Sequence, residues 1–292
     1  MSSYSSSPGL FIVLEGADGA GKATQFKLLA ERLRAVGYGV EIFDFPNYSS
    51  ESSYFVKRYL NGEYGSASSI SPYTASLFYA LDRYEASPKI KQSLHEGKIV
   101  LSNRYVGSNM AHQGSKIINL AEQRGFFIWA EALEYNLLEI PRPNINIFLR
   151  VPPTISFELI EKKSKRGYTD KKRDEHEADI EHLSAAVRAY ETLSLLFPRD
   201  FRTIECVQNG ELLSIPEISN LIWDSIKPML PPAPDHGGME LILSLELINQ
   251  DIKKGNKPKK PQLPNKTTSK APNKPDKKRK NSKTHRKRPP KT

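Results

Sequence analysis

The chain has 292 residues, 38% of them hydrophobic, and a formal net charge of +10. One cysteine, Cys206, excludes a disulfide framework within the chain and fits a reducing compartment. The charge is uneven: residues 253–292 hold 17 Lys and Arg against one acid, Asp276, a local +16 that leaves −6 on the rest.

Met1–Gly9 is Ser-rich without a basic residue, and the apolar run after it is too short for a signal-peptide core or a membrane span. A soluble, cytoplasmic protein with residues 1–8 flexible is therefore expected. Leu10–Leu14 reads as a strand buried on both faces, followed by a Gly-rich turn. Phe26, Leu28, Leu29, Leu33 and Val36 recur at helical spacing, and Gly37 stops them. Val40–Phe45 is a second strand, closed by Pro46. Ser71-Pro72 predicts an N-cap and first turn, opening a helix through Ile90 towards Leu94. Ile99–Leu101 is a third strand, Leu120–Leu138 a helix, Ile145–Val151 a fourth strand, and Pro152-Pro153 the start of a further helix. Asp179–Leu196 is helical, Phe201–Val207 is a fifth strand, and Ser214-Ile215-Pro216-Glu217 opens a last helix through Ile226. Alternating strands and helices imply an α/β fold, a three-layer αβα sandwich around a five-stranded parallel sheet. Pro228–Gly238 marks the end of the domain, expected over residues 9–228. A short apolar segment, Met239–Ile252, follows a Pro/Gly-rich linker. Residues 253–292 have almost no apolar side chain and are expected to be disordered.

Between the first strand and first helix lies Gly16-Ala17-Asp18-Gly19-Ala20-Gly21-Lys22, the G-x-x-x-x-G-K pattern of a phosphate-binding loop in its required context. Glycines let the backbone wrap an anion, successive N–H groups and the helix N-terminus point at the ATP phosphates, and Lys22 bridges β- and γ-phosphates. Gly16, Ala17, Asp18, Gly19, Ala20, Gly21, Lys22, Ala23 and Thr24 are the candidate ATP-binding residues. The position after the lysine usually carries a Mg²⁺-binding hydroxyl. Here it is Ala23, and Thr24 lies about 100° further round the helix.

Five segments in order then resemble the thymidylate kinase family over roughly Gly9 to Pro228: Phe11–Gln25; Phe45-Pro46-Asn47-Tyr48; Leu77–Arg83; Asn103-Arg104-Tyr105 with Ser108-Asn109 and Ala111–Gly114; and Leu149–Pro153 ahead of a charged stretch. The resemblance implies transfer of the γ-phosphoryl group of ATP to dTMP, giving dTDP, with Mg²⁺ brought by ATP. It implies that Asp18 faces the acceptor nucleotide and its 3′-OH, with a weak metal role. Tyr79 would stack on thymine, beside a core-facing Phe78, and Arg83 would hydrogen-bond the base. Arg104 would grip the acceptor phosphate, and Phe45, Pro46, Tyr48, Ser108, Asn109 and Gln113 would complete the dTMP site. His112 is a bystander. The stretch Lys162–Asp174 corresponds to a lid, about residues 162–176, whose Arg166 or Arg173 supplies catalytic positive charge. A homodimer is expected by resemblance alone.

Three places depart from the family: Ala23, Asn103 where an aspartate usually helps hold Mg²⁺, and the Phe-Pro loop, where Asn47 and Tyr48 stand and many members carry an arginine. They motivate alternatives: another nucleoside-monophosphate kinase, or a weakened nucleotide-binding protein with a nucleic-acid-binding tail. The basic tail suits nonspecific phosphate contact or a solubilising role. It has no aromatic residue for base stacking.

Overall fold

The computed structural model describes residues 9–66, 69–164 and 173–232; for 163–164 and 173–179 it describes the backbone alone. The 1–8 segment, most of the expected lid including Arg166, the 239–252 segment and the basic tail lie outside the described residues.

Five strands build the main sheet: β1 (Leu10–Glu15), β2 (Val40–Asp44), β3 (Ile99–Asn103), β4 (Ile145–Arg150) and β5 (Phe201–Glu205). Their order is β2-β3-β1-β4-β5, and every pair is parallel. β1 is central, and all six of its residues are buried. Alternation along it feeds two cores. Leu10, Ile12 and Leu14 pack with α1 (Lys22–Ala35) and α8 (Ile215–Ile226) through Leu29, Leu33, Ile222 and Trp223. Phe11 and Val13 pack on the other face with α3 (Pro72–His95), α4 (Val106–Gly114), α5 (Leu120–Glu131) and α7 (Arg173–Leu196), through Ile90, Met110, Phe127 and Leu193. A strand with apolar side chains on both faces therefore sits in the middle of the sandwich. Ligands of such sheets gather beyond the strand C-termini, where connections diverge.

The helix ends follow local chemistry. Ser214 and Glu217 form the reciprocal capping box of α8. Ser71 precedes Pro72 as the sequence suggests, but its side chain makes no cap bond. The expected 120–138 helix stays α-helical only to Glu131 and continues as a π-helical turn over Ala132–Leu137. The expected 179–196 helix begins earlier, at Arg173. The fifth strand stops at Glu205. Val207–Gln208 (β6) and Glu211–Leu212 (β7) then form a small antiparallel hairpin. Neither α2 (Tyr54–Leu60) nor α4 is announced by the sequence pattern. α6 (Pro153–Ser164) starts at the proline pair as expected. Among the described residues no helix is long and apolar enough to cross a membrane. Cys206 is fully buried, and burial pushes its thiol up to about 12, so it packs as a hydrophobe.

Candidate active site

The phosphate-binding loop links β1 to α1. Gly19 and Gly21 sit at φ 80° and 78°, in the left-handed region that L side chains avoid. A Cβ on Gly19 would also lie 2.3 Å from the carbonyl oxygen of Ser156, so α6 closes directly over the loop there. Lys22 is buried, and its ammonium donates to the carbonyls of Gly16 (2.9 Å) and Ala17 (2.8 Å). Burial, then the charge of Arg104, pushes its pKa down to about 7.

Arg104 follows β3 with φ 67°, an uncommon conformation for a side chain of this size. Local bonds hold it there: its N–H donates to Leu14 (2.9 Å), and the Ser102 hydroxyl donates to its carbonyl (2.7 Å). Its guanidinium pairs with Asp18 and donates to Ser108 Oγ (3.2 Å) and to His112 Nε2 (2.9 Å). Arginine has no acceptor, so His112 receives that bond as a neutral imidazole. Burial and the neighbouring guanidinium push His112 down to about 3. Burial, the largest single influence on Asp18, opposes its ionisation, but the surrounding positive groups, Arg104 foremost and Lys22 among them, with the hydrogen bond from Arg104, together outweigh it, and the carboxyl titrates below its usual range.

Beneath these groups lies Glu15, fully buried at the end of β1. It accepts from the backbone N–H groups of Tyr105 (3.0 Å) and Ser108 (3.1 Å) and from the hydroxyls of Ser108 (2.5 Å) and Tyr190 (2.9 Å). The end of β1, the start of α4 and α7 are thereby joined through one carboxylate. Neither Glu15 nor Tyr190 stands out in the sequence as a site residue.

Two cavities flank this centre. One, of about 830 Å³, is lined by Asp18 to Gln25, Asn103 and Arg104, with Leu159, Ile160, Leu212, Leu213, Ile215 and Ile218. The second, of about 340 Å³, is lined by all nine residues expected on the acceptor side, Phe45, Pro46, Tyr48, Tyr79, Arg83, Arg104, Ser108, Asn109 and Gln113, and by Asp18, His112 and Lys116 among others. Asp18 and Arg104 line both. The Phe45–Pro46 peptide is cis, and the following loop is tied down by buried Asp82, which accepts from Asn47 N–H (2.8 Å) and from the Ser52 hydroxyl. Tyr79 lies edge-on to Tyr59, with ring centroids 6.2 Å apart. Phe78 is half-buried among Phe55, Tyr59 and Tyr64 rather than in the main core. The amide oxygens of Asn109 and Gln113 are buried and make no hydrogen bond. Buried orphan acceptors on a cavity wall mark where a ligand donor belongs. Arg173 opens α7, but its side chain is not described.

Arg83 is 2% exposed and pairs bidentately with fully buried Glu134, which sits in the π-helical turn; both bonds are 2.5 Å. Asn109 Nδ2 also donates to Glu134 (3.3 Å). Sequence spacing gives no hint of this pair, whose members are 51 residues apart. Glu134→Ala leaves the guanidinium buried and unpaired, and urea unfolding should show a loss of about 3–5 kcal/mol. The double variant Arg83→Leu/Glu134→Leu should recover much of that loss.

A family model of thymidylate kinase matches residues 14–206. Among curated proteins, the chain is 30% identical over 225 residues to the thymidylate kinase of Bacillus licheniformis, covering 75% of this chain and 97% of that one. It is 35% identical over 210 residues to a probable thymidylate kinase of Pyrococcus horikoshii, covering 70% and 91%. It is 32% identical over 143 residues to the human thymidylate kinase, covering 49% and 61%. With this similarity and the phosphate-binding loop between β1 and α1, the chain belongs to the thymidylate kinase family.

Proposed function

We propose that this member of the family moves the terminal phosphoryl group of ATP directly to the phosphate of dTMP, through the residues brought together above. The supporting observation is that two cavities share one wall made of Asp18 and Arg104. A donor held by the phosphate loop and an acceptor in the smaller cavity would meet at Arg104.

On the donor side, Gly16 to Gly21 wrap the phosphates with N–H groups, Lys22 follows the charge that develops in transfer, and Ala23 and Thr24 line the start of the helix. On the acceptor side, the Arg104 fork takes the acceptor phosphate and Asp18 the sugar hydroxyl. Tyr79 stacks on the base, with Phe45, Pro46 and Tyr48 closing the cavity and Ser108 supporting Arg104. Thymine presents one ring N–H between two carbonyl oxygens. The orphan oxygens of Asn109 and Gln113 can take the N–H, and the Arg83 guanidinium can donate to a carbonyl. The acceptor phosphate is already ionised, so no side-chain nucleophile or strong base is required. Positioning and charge stabilisation supply the rate. Gly19 carries no side chain and lies under α6, so the further cation would come from Arg166, in the stretch of sequence after α6, or from Arg173, the first residue of α7.

Among the described residues, no cluster of three or more His, Cys, Asp or Glu side chains could hold a metal. The oxygen donors near the loop, with Asp18 already paired to Arg104, fit a Mg²⁺ that arrives with ATP. Such an ion would keep most of its ligands from phosphate and water. When bound, it neutralises charge on the β- and γ-phosphates.

A second copy of the chain suits the exposed stripe on α3. Tyr73, Leu77, Leu81 and Tyr84 follow one another at four-, four- and three-residue spacing, each more than two-fifths exposed, with exposed Ile128 on α5. Light scattering should give a dimer, and Leu77→Glu/Leu81→Glu should give a folded monomer. A wild-type monomer at micromolar concentration would remove this assignment.

Coupled ADP release with ATP, Mg²⁺ and dTMP, dUMP, dCMP, UMP or GMP tests the reaction. Turnover should be greatest on dTMP, and Lys22→Ala or Arg104→Ala should each cost about 10²–10³-fold. Turnover on no acceptor by the wild-type chain, with ATP binding intact, would refute it.

The depressed pKa of Lys22 gives a pH signature. Above pH 7 the free protein carries this amine largely neutral, whereas bound phosphate favours the ammonium. ATP binding at pH 8 should therefore take up close to one proton, and affinity should fall as pH rises above 7. Titration calorimetry in buffers of different ionisation enthalpy measures the uptake, which Lys22→Met should abolish.

A further inference from the structure

The metal side of the ATP cavity lacks two groups: the hydroxyl that the phosphate-loop pattern leads one to expect at position 23, and the carboxylate that the resemblance to the family implies at position 103. The sheet places a carboxylate beside the second of these. β2 and β3 run in register, with Asp44 opposite Asn103 at their C-terminal ends. The Asn103 amide Nδ2 donates to Asp44 Oδ1 at 2.9 Å, which fixes both side chains. Asn103 lines the ATP cavity together with Lys22 and Thr24, and its Oδ1 is buried with no hydrogen-bond partner. Asp44 is exposed to solvent and lies within electrostatic reach of both Lys22 and Arg104.

We propose that Asp44 and Asn103 act as one unit, the carboxylate on β2 and the amide oxygen on β3, and form the protein's contact with the Mg²⁺ of bound ATP. The negative charge has moved one strand sideways rather than disappeared. The chemistry agrees with a hard cation: the pair offers only oxygen donors, and a single carboxylate with phosphates and waters is a common Mg²⁺ environment. The hydrogen bond between them gives a physical role to each. Nδ2 orients the carboxylate, and the bond fixes the amide so that Oδ1 is its free end. An aspartate at position 103 beside Asp44 would place two carboxylates in contact, with mutual repulsion when no metal is bound. The asparagine is the compatible partner.

This inference rests on the ATP-binding reading of the phosphate loop. The test uses the full chain and measures ATP binding by calorimetry without acceptor, once in EDTA and once in excess Mg²⁺. The ratio of the two dissociation constants reports how strongly metal and nucleotide help each other. Asp44→Asn should lower that ratio by roughly 10-fold or more, the scale of losing a metal-supporting group, while affinity in EDTA is unchanged or improved. The exchange variant Asp44→Asn/Asn103→Asp should restore the Mg²⁺ dependence, because it returns one carboxylate to the pair. A merely structural role predicts neither the metal selectivity nor the rescue. Mg²⁺ dependence unaltered in a folded Asp44→Asn protein, or not recovered in the folded exchange variant, would overturn the inference alone. Failure of wild-type chain to bind ATP in either condition would overturn the ATP-site reading and this inference with it.

Discussion

The site depends on how one arginine is held. Arg104 occupies a left-handed backbone conformation that a long side chain does not adopt without support. The support is local and complete: a β1 carbonyl takes its N–H, a β3 hydroxyl takes up its carbonyl, and Asp18, Ser108 and His112 surround its guanidinium. Ser108 is in turn bonded to Glu15, the buried carboxylate beneath the phosphate loop. Two charged side chains, Glu15 at the end of β1 and Arg104 just past the end of the adjacent β3, one buried and one at a cavity wall, thus share a serine. Moving α4 would disturb both, which ties the geometry of the smaller cavity to that of the phosphate loop.

Much of this was legible in the sequence because it is written locally. The strand–loop–helix context of Gly16–Lys22 needs only adjacent residues, and the five strands appear as apolar runs with turn residues between them. Asn103-Arg104-Tyr105 could be placed at the end of a strand from its apolar neighbours alone. What the sequence does not show is long-range or conformational. Glu134 matters because a π-helical turn brings its carboxylate under Arg83, and neither the turn nor the pairing has a periodic signature. Tyr190 reaches Glu15 across 175 residues. α2 and α4 are seven and nine residues long, too short for a helical period to declare itself. The reading of Phe78 as a core residue failed for a related reason: α3 carries aromatic side chains on several faces, and Phe78 is covered by Phe55 and Tyr59 of α2 and by Tyr64 rather than by the main core.

The departures from the family pattern gain meaning from the sheet. Read along the chain, Asn103 is a lost charge. Read across the sheet, it is one half of a pair with Asp44, since in-register parallel strands bring their ends together. Gly19 illustrates the same principle. Its missing side chain leaves room for the Ser156 carbonyl of α6 to close on the loop. In both, a neighbouring element stands where a side chain or charge is absent: α6 against Gly19, and Asp44 of β2 against Asn103.

The most direct measurement of the central claim, that two nucleotides meet across Asp18 and Arg104, uses a single ligand in which adenosine and thymidine are joined through five phosphates. Titrated into the full-length chain, it should bind at one molecule per chain, far more tightly than either nucleotide, and displace both ATP and dTMP. Arg104→Ala should remove most of that advantage. Displacement of ATP alone, with dTMP still binding at its original affinity, would contradict a shared wall and place the acceptor elsewhere.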